Sequence, residues 1–497
     1  MSQYVISLDQ GTTSSRAIAF DKRGNIVASA QEEFPQIYPE LGWVEHNPQD
    51  IWQSQIKVTK DVMREVGGPE KVSSLGITNQ RETTVIWEKA SGKPIYNAIV
   101  WQDRRTADFC DELKQRGLEN TIREKTGLVI DAYFSASKIR WILNAIPGAM
   151  EKAQKGELGF GTMDCWLLWN LTGGKVHSTD ATNASRTMLY NIHNHSWDDE
   201  LLEIFDIPKS ILPEVQPSNA IFGKTSQEDL GASITIAGIA GDQHAALFGQ
   251  MCLDPGSVKN TYGTGCFLMM NTGSKPIQSG NNLVTTIGWQ IDKETTYALE
   301  GSIFVAGALI QWLRDELCII DHADETEVMA NAVSDNGGVY IVPAFVGLGA
   351  PYWDQYARGS ILGLTRGANK NHIVRAALEA IAFQSYDVIR AMNQDSGIPI
   401  SSLKVDGGAT KNDLLLQIQS NLLDATVIRP QILETTALGA AYFSGLATGF
   451  WSGIDEIKAF WKEDRLFTPS IKKEDKETLL TNWKKAVRHS QGWLKDE

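Results

Sequence analysis

The chain reads as an α/β protein built twice over, and three observations carry that reading. Short apolar runs such as Ser74-Leu75-Gly76-Ile77-Thr78, Asn97-Ala98-Ile99-Val100-Trp101 and Ile234-Thr235-Ile236-Ala237-Gly238 alternate with helical stretches such as Asp50 to Val66. That alternation is the pattern of layered sheets and helices. A strand, a polar turn and a second strand open the sequence and recur about halfway along, from Ser257 to Met270. Finally, 497 residues exceed what one ordinary hydrophobic core holds, so roughly two to four domains are expected. The repeat divides the chain into residues 1–250 and 251–497.

Taken in order, Tyr4-Val5-Ile6-Ser7-Leu8 and Ala17-Ile18-Ala19-Phe20 read as paired strands joined by the turn Asp9-Gln10-Gly11-Thr12-Thr13-Ser14-Ser15-Arg16. That composition suits a phosphate group. Gly11 removes a Cβ from the path of an oxyanion, Thr12, Thr13 and Ser14 donate hydrogen bonds, and Arg16 neutralises charge. Asp9 then faces a metal ion carried on the same phosphates. A plain polar hairpin turn accounts for the same residues.

In Gly76-Ile77-Thr78-Asn79-Gln80-Arg81-Glu82-Thr83-Thr84 a strand ends in adjacent charges before Val85-Ile86-Trp87 resumes the apolar pattern. Arg81 and Glu82 offer donors and acceptors together, as a small polyol requires; a salt-bridged surface hairpin is the alternative. Asp242 stands alone in Ile239-Ala240-Gly241-Asp242-Gln243-His244, between a strand and an apolar helix. Catalysis and a helix N-cap both explain it.

The second hairpin turns at Gly263-Thr264-Gly265. If each half supplies one phosphate-binding turn, a nucleotide lies in a cleft between them that closes by hinge motion. An apolar stripe from Ile373 to Met392 marks a helix over Asn371 to Gln394, stopped by Gly397 and Pro399. Then Leu403-Lys404-Val405, the glycine cluster Asp406 to Asn412 and a helical run from Leu414 to Leu423 give strand, turn and helix. Paired glycines admit a base or ribose, and Asn412 offers an amide; an ordinary strand-to-helix connection is the competing reading. The tail after Pro469 reads as a surface-packing helix with Trp483 and Trp493.

Composition narrows the class. With 42% hydrophobic residues, 21% charged residues and a formal charge of -14, the chain is expected to be soluble and not to bind nucleic acid. Cys110, Cys165, Cys252, Cys266 and Cys318 lack zinc-site spacing and read as buried thiols in a reducing compartment. The sequence opens directly into a strand and holds no long uncharged apolar run. A cytoplasmic location without membrane insertion is expected.

The motifs together resemble the FGGY carbohydrate kinase family along the whole chain. The resemblance runs from Leu8-Asp9-Gln10-Gly11-Thr12-Thr13-Ser14-Ser15-Arg16 through Gly42-Trp43-Val44-Glu45-His46, Gly76 to Thr84, Asn97 to Gln102, Gly241-Asp242-Gln243 and Tyr262-Gly263-Thr264-Gly265. It continues in Gly347-Leu348-Gly349-Ala350-Pro351-Tyr352-Trp353 and Thr436 to Ala441. Asn79-Gln80-Arg81-Glu82-Thr83 is similar to the glycerol-specific branch. The resemblance implies two ribonuclease H-like, actin-type ATPase domains with an interdomain ATP cleft. It implies ATP-dependent phosphorylation of glycerol to sn-glycerol 3-phosphate and ADP, the entry step of glycerol catabolism, by a homodimer or homotetramer.

Residue by residue, the resemblance implies glycerol contacts at Arg81, Glu82, Trp101, Tyr133, Asp242, Gln243 and Phe267, with Trp101 and Phe267 over the carbon chain. Nucleotide contacts are implied at Thr12, Thr13, Ser14, Arg16, Thr264, Gly307, Gln311, Gly408 and Asn412. Asp242 is the implied general base, and Asp9 the residue holding Mg²⁺. His244 reads as a helix residue with room for a minor role beside that base. The loop from Pro217 to Ser233 holds no histidine and no basic residue near Gly231, so control by histidine phosphorylation or by a sugar bisphosphate is not expected. A related sugar kinase and a non-enzymatic ATPase of the same fold are the competing classes.

Overall fold

The computed structural model describes residues 3–495. Two mixed sheets dominate it. The first contains β1 (Tyr4–Gln10), β2 (Ser14–Phe20), β3 (Ile26–Glu33), β4 (Val72–Asn79), β5 (Ile221–Lys224) and β6 (Thr235–Gly241) in the order β5-β6-β4-β1-β2-β3. The second contains β7 (Val258–Tyr262), β8 (Cys266–Gly273), β9 (Val284–Ile291), β10 (Glu294–Ile303), β11 (Ser402–Asp406), β12 (Thr426–Pro430) and β13 (Glu463–Phe467) in the order β9-β10-β8-β7-β11-β12-β13. Within them, β3-β2-β1-β4-β6 and β10-β8-β7-β11-β12 share one design. Three antiparallel strands are followed by two that add in parallel.

Among the helices around these sheets are α1 (Pro48–Glu65), α2 (Asp242–Gly249), α3 (Gly307–Asp315), α4 (Lys370–Ser396), α5 (Asp413–Leu423), α6 (Thr435–Ala447) and α7 (Lys473–Ser490). β1 is buried nearly throughout because helices cover both faces of its sheet. Side chains alternate across a strand, so Ile6 and Leu8 join the cluster under α1, while Val5 joins the cluster under α6. Helix α6 comes from the later half of the chain, yet it lies on β1, β4 and β6 of the earlier sheet.

Glycines permit the close crossing of α2 and α6. A Cβ on Gly439 would run into the backbone of Ala245, and one on Gly249 into that of Thr435, beside the stacked Phe248 and Phe443 rings at 4.2 Å. Gly439→Ala should therefore destabilise by about 1–3 kcal/mol through overpacking, read as a lower thermal midpoint. An unchanged midpoint would mean that the crossing gives way without strain.

Several local expectations are corrected. The first turn is only Gly11 to Thr13, because β1 runs through Gln10 and β2 begins at Ser14. The long helix starts one residue earlier and ends two later than expected, at Lys370 and Ser396; Asn369 caps it, and a left-handed Gly397 stops it as expected. Trp483 is core, not surface. It is 1% exposed, stacks on Phe383 at 5.1 Å and donates from Nε1 to Asp387 at 2.6 Å, while Trp493 lies past α7 and is exposed. Four cysteines are buried, but Cys318 is exposed. Among the described residues, no helix is long and apolar enough to cross a membrane.

Candidate active site

The parallel register brings the chemistry to one edge. Gln10 pairs with Asn79, and Asn79 with Gly241. The segments carrying Asp9, Arg81 with Glu82, and Asp242 therefore leave the sheet side by side at its carboxyl end, where open α/β sheets bind ligands.

In the first hairpin Asp9 pairs across the strands with Arg16. Arg16 Nη2 lies 3.4 Å from Asp9 Oδ2, and Nη1 donates to Glu434 Oε2 at 2.5 Å. Burial pushes the Asp9 carboxyl up to about 6; Arg16 opposes this, whereas Glu434 and Asp242 reinforce it. Asp9 and Glu434 thus share one guanidinium, and the Asp9 carboxylate is the kind of oxygen donor that suits a hard cation. No group of three metal-ligating acids, histidines or cysteines forms among the described residues. Any cation here keeps few protein ligands, as Mg²⁺ does when phosphates and water fill its shell. Thr12 Oγ1 accepts from Trp101 Nε1 at 3.0 Å, Ser14 Oγ accepts from Gln31 at 2.9 Å, and Thr13 is exposed.

Arg81 and Glu82 are 3% and 1% exposed, which rules out a surface salt-bridged hairpin. Each bonds a distant partner. Arg81 grips Glu300 with Nη1 at 2.6 Å and Nη2 at 2.9 Å, and its Nε lies 3.1 Å from Asp242 Oδ1. Gly241 provides the seat, since a Cβ there would come within 2.8 Å of Arg81 Cγ and Cδ. Glu82 takes a left-handed backbone at φ 59, which costs about 1–2 kcal/mol. Its carboxylate accepts from Arg186 Nε at 2.6 Å. Arg186 Nη2 reaches Glu300 at 3.2 Å.

Asp242 is the first residue of α2, with Gly241 in the capping position. Its carboxylate accepts from the Gln243 backbone, the second N–H of the helix, at 2.7 Å and from Gln243 Nε2 at 3.2 Å, so it meets a helix-terminal donor from inside the first turn while Gly241 holds the capping position. The side chain is 31% exposed, open to a ligand on one side. Buried Lys259 donates to Gln243 Oε1 and lowers the negative charge behind Asp242. Burial pushes the Lys259 ammonium down to about 8, opposed by Asp406 and Asp242. His244 is held neutral by burial, with Arg81 adding to the effect, and its Nε2 lies 3.3 Å from Thr286 Oγ1.

Trp101 meets Tyr133 at 5.6 Å and Phe267 at 6.3 Å, each edge to face. Phe267 comes from β8, so both halves contribute to this aromatic wall.

The remaining residues gather on the second sheet. Gly263 N donates to the Gly265 carbonyl at 2.9 Å, and the Gly263 and Thr264 carbonyls accept from Gly307 and Ala308 at 3.0 and 3.1 Å as α3 begins. Gly307 is required there because a Cβ would lie 2.6 Å from the Gly263 oxygen. Gly407, at φ 91, presses against the Tyr262 backbone and brings the third glycine cluster beside the second hairpin. Gly408 faces open space and Gln311 is exposed. Asn412 caps α5, accepting from Leu415 N at 2.9 Å, and its amide donates to Thr326 at 3.1 Å.

Sequence reasoning missed Glu300, Arg186, Lys259 and Glu434. The one available signal was an acid inside the apolar strand Tyr297-Ala298-Leu299-Glu300-Gly301, because a charge enters a sheet core only with a partner.

Two sheets of one repeated ribonuclease H-like order, with a polar centre at the edge of the first and a glycine-rich centre at the edge of the second, define a two-domain α/β kinase architecture. The chain belongs to the FGGY family of carbohydrate kinases, whose N-terminal domain model matches residues 4–249 and whose C-terminal domain model matches residues 258–448. It is 60% identical to the glycerol kinase of Burkholderia multivorans over 495 residues, 99% of each chain. With the glycerol kinase of Thermoanaerobacter sp. it shares 59% identity over 497 residues, all of both chains. The structure of Plasmodium falciparum glycerol kinase with ADP superimposes with a TM-score of 0.93, 37% identity and 98% coverage of both chains. The ligand-bound xylulose kinase of Lactobacillus acidophilus, at TM-score 0.89, 23% identity and 98% coverage of both chains, shares the fold.

Proposed function

We propose that the protein transfers the γ-phosphoryl group of ATP to a terminal hydroxyl of glycerol, giving sn-glycerol 3-phosphate and ADP. The observation that carries this reading is the convergence of buried Arg81 and Glu82, the half-open Asp242 and the Trp101–Tyr133–Phe267 wall at the edge that also carries the Asp9–Arg16 hairpin. Full-length identity to glycerol kinases supports the choice of acceptor.

In this reading the polar groups fix the hydroxyls and the aromatic faces cover the carbon chain. Asp242 takes the proton as the hydroxyl oxygen attacks phosphorus in line. Thr12, Thr13, Ser14 and Arg16 meet the phosphates from the first sheet. Thr264, Gly307, Gln311, Gly408 and Asn412 meet the nucleotide from the second, with Asn412 exchanging its Thr326 contact. Asp9 would hold Mg²⁺, which would supply neutralisation of the phosphate charge. Because the transition state is loose, positioning and donors supply most of the rate, and closure of residues 1–250 on 251–497 assembles them. A cytoplasmic location is part of this reading.

Glycerol-dependent ADP release by the purified chain, with xylulose as the competing acceptor, tests the assignment. Release without any acceptor, or a preference for xylulose, would overturn it. Arg16→Ala should raise the KM for ATP far more than that for glycerol, measured by varying each substrate in turn; the opposite pattern would take Arg16 away from the phosphates.

A further inference from the structure

The buried ion network contains an acid that this reaction does not use directly. Glu300 lies on β10 of the second sheet and is 1% exposed, whereas Arg81 and Arg186 belong to the first half. Both of its oxygens accept from the Arg81 fork, at 2.6 and 2.9 Å, and Oε1 also takes Arg186 Nη2 at 3.2 Å. Burial pushes this carboxyl up, but Arg186 and Arg81 outweigh the effect and hold it well below the usual carboxylate range. It is a permanent anion at working pH.

A guanidinium has five N–H donors in a rigid plane. In Arg81 one donor on each terminal nitrogen bonds Glu300, and Nε lies 3.1 Å from Asp242 Oδ1 as an ion pair without a hydrogen bond. Among the described residues one donor on each terminal nitrogen has no hydrogen-bond partner, and in the glycerol reading these donors serve the substrate hydroxyls. If Glu300 were neutral, the nearest anions to Arg81 would be Asp242, at 3.1 Å from Nε, and Glu82, at 4.0 Å. The fork would then rotate toward the base, tying up both the base and the two free donors.

We propose that Glu300 is a positioning residue: it aims Arg81 at the acceptor and keeps the guanidinium from collapsing onto Asp242. Because Glu300 comes from the opposite sheet, the acceptor grip is complete only when the two halves are in contact. The inference rests on the glycerol reading. Wild-type glycerol-dependent ADP release tests that reading by itself, and if it fails the inference falls with it.

With an active wild type, the test is Glu300→Gln and Glu300→Asp in the full chain, with thermal midpoint, kcat and both KM values measured. Glu300→Gln should lower kcat/KM for glycerol by about 10²-fold, as expected for a misaimed contact, and leave the KM for ATP unchanged. Glu300→Asp, which keeps the charge, should recover part of the loss. A merely structural Glu300 would move the midpoint and leave kcat and the glycerol KM at wild-type values, which overturns the proposal. So does an equal loss toward both substrates. If neither variant folds while Arg81→Ala does, Glu300 serves the fold and the proposal fails.

Discussion

Asp242→Asn should lower turnover by about 10²- to 10⁴-fold, the usual range for a lost general base, with little change in the KM for ATP. The substitution keeps size and shape, and the hydrogen bond from the Gln243 backbone to the side-chain oxygen, 2.7 Å in the parent, is retained. What disappears is the ability to accept a proton and the charge facing Arg81 Nε at 3.1 Å. Steady-state rates at saturating glycerol and ATP isolate the first of these from binding. Turnover near the parent value would remove Asp242 from the base role and leave positioning to explain the rate.

The second large effect is at Arg81. Arg81→Ala should lower kcat/KM for glycerol by about 10²- to 10⁴-fold, because a site built to satisfy hydroxyls loses its paired donors. It should also lower stability, since Glu300 is left buried with Arg186 alone. Breaking a buried ion pair from one side costs about 3–5 kcal/mol. Arg81→Lys should rescue little, as a lysine offers a point charge in place of a planar fork. Varying glycerol at saturating ATP, and then the reverse, decides the matter; a change confined to the KM for ATP would place Arg81 on the nucleotide side.

The two predictions differ in how far the sequence foresaw them. Asp242 was visible as a lone acid between a strand and an apolar helix, and the alternative of an N-cap was settled only by the backbone, which puts Gly241 in the capping position. Arg81 and Glu82 were visible as adjacent charges ending a strand, and local pattern left a polyol grip and a surface pair both open. Their burial excluded the surface pair. The partners that explain the burial lie 219 residues away for Arg81 and 104 for Glu82, beyond any local period.

The sequence by itself determined the α/β class, the duplicated hairpins, the positions of the glycine turns and the acceptor-side charges. Those follow from apolar periodicity and from backbone geometry that glycine alone allows, both of which act over a few residues. Only the tertiary structure decided which charges meet. It paired Arg81 with Glu300 and Glu82 with Arg186, sent Trp483 into the core, and laid α6 of the later half on the earlier sheet. The physical reason is that a buried charge must find an opposite partner in space, and space is ordered by strand register and helix packing, not by neighbours along the chain.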